Sequence, residues 1–414
     1  MSADRHPTLA VLAIPAVRLF IAARFFAHFG RSLAAAMLSY HVYQLAGSAG
    51  ALGALGLIEF APVIPAALLG GAIADRFDRR LVVLASNVGS LVGVAALAAT
   101  TGSGAGAALP GGLATLYGAA FLLAAAAIFG FPASSALLPA LVRRDLFQNA
   151  TVVTSSLSQL AFITGPITMG VLLEPLGFAA PYVLAALCHL VAIVCLLLLR
   201  VPRVEGERTG SVSMSAIREG FAFVRSRPAI FSSMTLDMFA VGFASATSLL
   251  PIFASEILKV GPEGYGLLRA SMAIGTFTMT VFLMIARPFD RPGRALLWAV
   301  LGYGLATAAF GLSSWFPLSV AAYVVAGMAD QVSMTTRSVI TQLSTPDALR
   351  GRVSAVNSIF ISASNELGDA EAGFLAAWTS ARFAVVFGAC ACLGFVGWTA
   401  ARVPELREHR AVAE

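Results

Sequence analysis

Apolar runs of about 20 residues, divided by short polar breaks, fill almost all of this 414-residue chain. A helix needs about 20 mainly apolar residues to cross a bilayer, so each run reads as a spanning helix. The runs fall roughly at 16–43, 51–73, 81–101, 113–137, 151–173 and 178–200. A second set follows at 230–256, 264–286, 294–312, 316–341, 353–375 and 380–402. This predicts an all-α membrane protein of about twelve transmembrane helices. Residues 201–229, the longest polar stretch, divide it into an N-terminal six-helix bundle over 1–200 and a C-terminal one over 230–414. Within that linker Ile217, Phe221 and Val224 recur at helical spacing opposite Arg218 and Arg225. The pattern predicts a short amphipathic helix, most simply a connector packed at the membrane surface.

Charge placement tests the layout and orients it. Arg76, Arg79 and Arg80, then Arg143 and Arg144, then Arg203, Arg208, Arg218, Arg225 and Arg227 occupy one set of breaks. Arg287, Arg291, Arg294, Arg350, Arg352, Arg407 and Arg410 continue the same set. The opposite breaks hold only Lys259. By the positive-inside rule this predicts both termini in the cytoplasm and an even number of spans. Arg18, Arg24 and Arg31 interrupt the first run, and no small-residue cleavage site follows, so the N-terminus does not read as a secretory signal.

Composition narrows the function classes. The chain is 58% hydrophobic and 12% charged, with mean hydropathy +0.84, whereas soluble domains run near a quarter charged. The net charge of +6 has no accompanying basic face with interleaved aromatics, so no nucleic-acid partner is expected. Cys188, Cys195, Cys390 and Cys392 lie inside apolar runs without metal-ligand spacing and read as packing residues. No nucleotide-binding loop and no Ser/His/Asp constellation is present, so the chain does not read as an enzyme and no cofactor or metal is expected.

The two halves echo each other. Arg24-Phe25-Phe26-Ala27 and Gly53 match Asp237-Met238-Phe239-Ala240 and Gly266 at one constant offset. Gly165-Pro166 with Gly170 matches Gly368-Asp369 with Gly373, and Asp75 matches Asp290 at the head of a worn copy of the same loop. Matches in consistent order indicate a duplicated six-helix unit.

The loop itself, Gly71-Ala-Ile-Ala-Asp75-Arg76-Phe77-Asp78-Arg79-Arg80, resembles the signature loop of the major facilitator superfamily, Gly-x-x-x-Asp-Arg/Lys-x-Gly-Arg-Arg/Lys. Residues 235–270, Arg350 to Ser358 and Ser364 to Asp369 resemble its enterobactin-exporter-like branch, also described as transmembrane secretion effectors. Ala161 to Gly170 resembles the fifth-span motif of proton antiporters, Gly-x-x-x-Gly-Pro-x-x-Gly, with Ala161 in place of the first glycine. That resemblance implies a secondary transporter rocking two bundles about a midplane cavity. Its expected partners are a small-molecule substrate, protons and membrane lipids. It is expected to work as a monomer in the bacterial inner membrane. It also implies a gating role for Gly71, Asp75, Arg76, Arg79 and Arg80, with Asp75 meeting the cytoplasmic start of the eleventh span. Asp78 stands where the pattern has glycine. The fourth span, with Ala-Ile-Phe-Gly-Phe-Pro-Ala at 127–133, lacks the arginine implicated in proton handling in related drug exporters.

Charges inside spans are the candidates for mechanism, since each costs about 2.5–3.5 kcal/mol on insertion scales and normally faces a cavity or a partner. Arg24 and Asp237 occupy equivalent positions in the first and seventh spans. They are expected either to pair or to face a charged substrate. Arg24, His28 and Arg31 share one helix face, where His28 is a candidate proton carrier or a neutral packing group. Glu59, Asp330, Glu366, Asp369 and Glu371 form the acidic set, with Glu366 and Asp369 one turn apart. Resemblance to the superfamily brings the second and eleventh spans, hence Glu59, together with them. Clustered carboxylates in low dielectric cannot all stay ionised, which suits proton coupling; the alternative, favoured for Glu371 near the outer rim, is that Arg269, Arg337 or waters neutralise them individually. Asp330 and Arg337 share a face of the tenth span. Gly165, Pro166 and Gly170 are expected to form a bent, close-packed seam. The chain is thus expected to export an amphipathic, drug- or siderophore-like molecule by proton antiport. Alternatives are uptake, lipid movement, or a non-transporting sensor or scaffold of the same fold.

Overall fold

The computed structural model describes residues 11–63, 65, 77–101, 111–200, 214–287, 289–346 and 349–408, and every regular element among them is helical. The chain divides into two compact units, Met1–Leu45 with Ile64–Ser211, and Ala46–Val63 with Val212–Glu414. The division departs from the expected 1–200 bundle at Ala46–Val63, which joins the second unit.

In the first unit lie α1 (Pro15–Ala46), α3 (Arg79–Thr101), α4 (Leu113–Leu141), α5 (Phe147–Leu176) and α6 (Ala179–Leu198). The second holds α2 (Ala49–Phe60), the linker helix α7 (Met214–Ser226), α8 (Pro228–Phe243) and α9 (Thr247–Ile257). It continues with α10 (Gly261–Ile285), α11 (Pro292–Leu312), α12 (Phe316–Leu343), α13 (Arg350–Trp378), α14 (Ala381–Arg402) and a terminal turn α15 (Pro404–Arg407). Among the described residues, α3, α4, α5, α6, α10, α11 and α14 are long and apolar enough to cross a membrane. Trp378 and Ile285 are each 84% exposed, and Trp298, Trp315 and Trp398 are exposed too. A surface this apolar belongs in lipid.

The seventh span is not the continuous helix that its apolar run predicts. Helix α8 stops at Phe243, residues 244–246 break it, and α9 resumes as a 3₁₀ turn, a short α turn and a π turn at Phe253–Ile257. The run Gly242-Phe-Ala-Ser-Ala gives poor helix propensity there. Non-helical backbone at such a depth is tolerated only where protein or a cavity satisfies it.

Helix α7 covers the predicted amphipathic segment but not with the predicted stripe. Val224 is fully buried with Ile230, Met234, Val353 and Val356, whereas Phe221 is exposed. Glu219 forms an ion pair with Arg352 at the start of α13. The linker helix is thereby tied to the heads of α8 and α13.

Equivalent contacts in the two units express the sequence repeat. A Cβ on Gly165 of α5 would lie 2.9 Å from the Leu33 nitrogen of α1; a Cβ on Gly368 of α13 would lie 2.9 Å from Gly242 Cα of α8. Fifth meets first as eleventh meets seventh.

Candidate functional site

The acidic cluster is assembled by α13, α2, α10 and the broken seventh span, all within the second unit. Helix α2 approaches α13 through glycines: a Cβ on Gly53 would sit 2.9 Å from both the Ala370 oxygen and the Phe374 nitrogen. A Cβ on Gly56 would sit 2.9 Å from the Ala370 nitrogen and 3.1 Å from the Glu366 oxygen. Two backbones this close bring Glu59, one turn beyond Gly56, beside Glu366 and Asp369. Arg269 of α10 lies within electrostatic reach of all three carboxylates.

Asp369 is also tied to the break in the seventh span. Its Oδ1 accepts from Ser245 Oγ at 2.6 Å and from the Ser248 backbone N–H at 3.3 Å. Ser248 Oγ donates to the Asp369 carbonyl at 3.0 Å. The helix break supplies the hydroxyl and the free N–H that a carboxylate accepts from. Tyr265 and Tyr323 stand near Arg269, and the Tyr323 hydroxyl lies 3.0 Å from Thr247 Oγ1. Sequence reasoning missed the two serines and the tyrosines, because neutral polar residues carry no signal until the fold gathers them.

Asp237 goes elsewhere. It forms an ion pair with Arg337 of α12, with side chains 6% and 4% exposed respectively. The expectation for Asp237, a direct pair with Arg24 or a charged substrate, did not include this contact: Asp237 has a basic partner in its own unit. Arg337 thus pairs with Asp237, and Asp330 lies within electrostatic reach of Tyr303. Glu371 is half-buried, two residues past Asp369 on α13.

The first unit gathers basic side chains instead. Arg24, His28 and Arg31 line one cleft of about 40 Å³ with Phe20, Ser86, Asn87, Phe131 and Ser134 among its walls. The His28 ring packs 5.3 Å from that of Phe162. His189, unremarked in the sequence, is fully buried, its Nδ1 3.3 Å from Asn87 Oδ1.

Of the expected gating loop, Gly71, Asp75 and Arg76 lie outside the described residues. The rest acts on helix ends. Asp78 Oδ1 accepts from the Arg80 backbone N–H at 2.8 Å, and the Asp78 carbonyl accepts from Val82. Asp78 thus caps α3, a use for aspartate that glycine lacks. Arg80 Nε and Nη2 donate to the Leu196 and Leu197 carbonyls at 2.7 Å each, where α6 ends. A cation there satisfies orphan carbonyls and complements the helix dipole. Arg79 Nη1 reaches the Ala136 carbonyl of α4 at 3.3 Å.

Gly165, Pro166 and Gly170 are all buried on α5. Pro166 has no N–H, which frees the carbonyl one turn back, at Phe162. Ser32 Oγ of α1 donates to that carbonyl at 3.3 Å. The repeat places Asp369 where this half has Pro166, so the same seam in the second unit carries a charge.

A family profile described as the Major Facilitator Superfamily matches residues 20–369. The chain belongs to the Major Facilitator Superfamily. Among curated major facilitator transporters it is 25% identical to the enterobactin exporter EntS of Escherichia coli O1:K1 over 358 residues, 86% of this chain and 83% of that one. Solved structures share the fold. A nucleoside transporter, NupG, superposes with TM-score 0.74 at 12% identity, covering 93% of this chain and 99% of that one. A peptide transporter POT in complex with sulfate gives 0.70 at 15% identity, covering 98% and 99%. This chain is an integral membrane protein of a transporter family.

Proposed function

We propose that this major facilitator protein exports an amphipathic small molecule across the bacterial inner membrane by alternating access, in exchange for protons. The observation that carries the coupling is Glu59, Glu366 and Asp369 sharing, among the described residues, one guanidinium, Arg269. One positive charge cannot balance three carboxylates. Uncompensated charge in a low-dielectric interior costs several kcal/mol, so charge balance favours a proton on the cluster. Gaining or losing that proton changes the charge beside Asp369, whose carboxylate is bound to the broken seventh span. Discontinuous helices of this kind hold coupling ions in other transporters. The proton state is thereby linked to the break in the seventh span.

Export rather than uptake is supported by the likeness to the enterobactin exporter and by the fifth-span seam at Gly165–Gly170. The one-sided arginines support cytoplasmic termini. The test uses proteoliposomes with an imposed pH gradient and a panel holding enterobactin, ethidium and rhodamine dyes. Wild type moves at least one compound against the gradient of protons, and Glu366→Gln loses the gradient response while still exchanging that compound across an equal pH. Transport indifferent to the gradient in wild type overturns antiport.

A further inference from the structure

Proton exchange in the second unit leaves the cleft of the first without a task. We propose that the Arg24–His28–Arg31 cleft is an anion-binding site that takes the acid group of an amphipathic organic anion. This rests on the transport reading and names the class of its cargo.

Three observations lead there. First, Arg24, His28 and Arg31 open on one cleft whose other walls are apolar (Phe20, Val83, Phe131) or neutral (Ser86, Asn87, Ser134). Second, Arg24 Nε, His28 Nδ1 and Arg31 Nε are buried without a hydrogen-bond partner, as is His189 Nε2. Buried donors are otherwise almost always paired. Third, α1, α3, α4, α5 and α6 carry one carboxylate between them, Glu174, exposed near the end of α5. The two guanidiniums thus have no acid from their own helices in the cleft, whereas Arg337 in the second unit has Asp237.

A static role would call for a built-in counter-ion, because an uncompensated buried charge is destabilising. An oxoanion supplies the missing charge and accepts from several donors at once, with the geometry guanidinium favours. A space of about 40 Å³ is more than a single water needs and suits an acid group rather than a whole ligand, whose apolar body would lie outside it. A carboxylate, sulfonate or phosphate on an apolar body meets both demands. An anionic lipid headgroup has the same chemistry, so the experiment separates the two sources.

The probe is radiolabelled 1-naphthoate, bound at equilibrium to the purified full chain in neutral detergent without any gradient. Failure of antiport therefore leaves the reading untouched. Wild type is expected to bind saturably, with displacement by unlabelled naphthoate and none by the neutral isostere 1-naphthamide. Arg24→Gln and Arg31→Gln are each expected to weaken binding by about tenfold or more, as loss of a charged hydrogen bond predicts; Arg24→Lys retains most of it. Displacement by phosphatidylglycerol but not phosphatidylcholine in mixed micelles assigns the anion to a lipid headgroup; no displacement by either assigns it to a soluble molecule. Absent binding in wild type, equal competition by the amide, or unweakened binding in both glutamine variants overturns the proposal. Should a glutamine variant fail to fold, the acid-against-amide comparison on wild type decides alone.

Discussion

Removing both members of the Asp237–Arg337 pair should destabilise the second unit far less than the two single removals add up to. The side chains are 6% and 4% exposed, so solvent screens the pair little. Breaking a buried pair from one side costs about 3–5 kcal/mol, since the survivor is left charged and unpaired. Coulomb attraction at an effective dielectric near 20 gives the same scale, about 4 kcal/mol at 4 Å. Asp237→Asn leaves the Arg337 guanidinium facing a neutral amide, and Arg337→Gln strands the Asp237 carboxylate. The double variant buries two neutral amides and leaves no charge unpaired. Each single is therefore expected to lose about 3–5 kcal/mol and the double at least 2 kcal/mol less than the sum of the singles. The assay is unfolding of purified protein by titrated sodium dodecyl sulfate, read as the helical signal across all four members of the cycle. Losses that add to within about 0.5 kcal/mol, the behaviour of independent sites, would refute the argument that the two charges are held for each other.

Ser32→Ala should cost about 1 kcal/mol by leaving the Phe162 carbonyl without its donor, and Pro166→Ala should remove most of that cost by restoring an N–H within α5. The same unfolding assay reads both, and a Ser32→Ala penalty unchanged by Pro166→Ala would show that the serine matters for another reason. At the head of α3, Asp78→Ala should lose about 1 kcal/mol as a cap while Asp78→Gly loses only a few tenths; equal losses in a thermal-shift comparison would remove the capping role. Gly53→Val inserts a branched side chain where even a Cβ would lie 2.9 Å from two α13 backbone atoms. It should abolish gradient-driven transport and reduce the monodisperse fraction on gel filtration, whereas Gly394→Ala, a site with open space, should do neither.

The sequence alone determined what depends on local composition and spacing. Apolar run length predicted the helices, because a bilayer admits no backbone left unpaired. The glycine pattern around Gly165 marked where helices approach closely, since a missing Cβ permits it. The charges inside the runs were visible as costly exceptions. Which charges meet was decided by tertiary structure alone. Asp237 and Arg24 look like partners by repeat position, yet Asp237 pairs with Arg337, because pairing depends on distance in space and not on equivalence in the chain. The break at residues 244–246 was likewise hidden inside an apolar run. It becomes meaningful only where packing delivers the Asp369 carboxylate to Ser245 and Ser248. The unpartnered donors of Arg24, His28 and Arg31 are the converse case. One helix face could be read from their spacing, but that no acid lines the cleft among the described residues is a property of the packed helices.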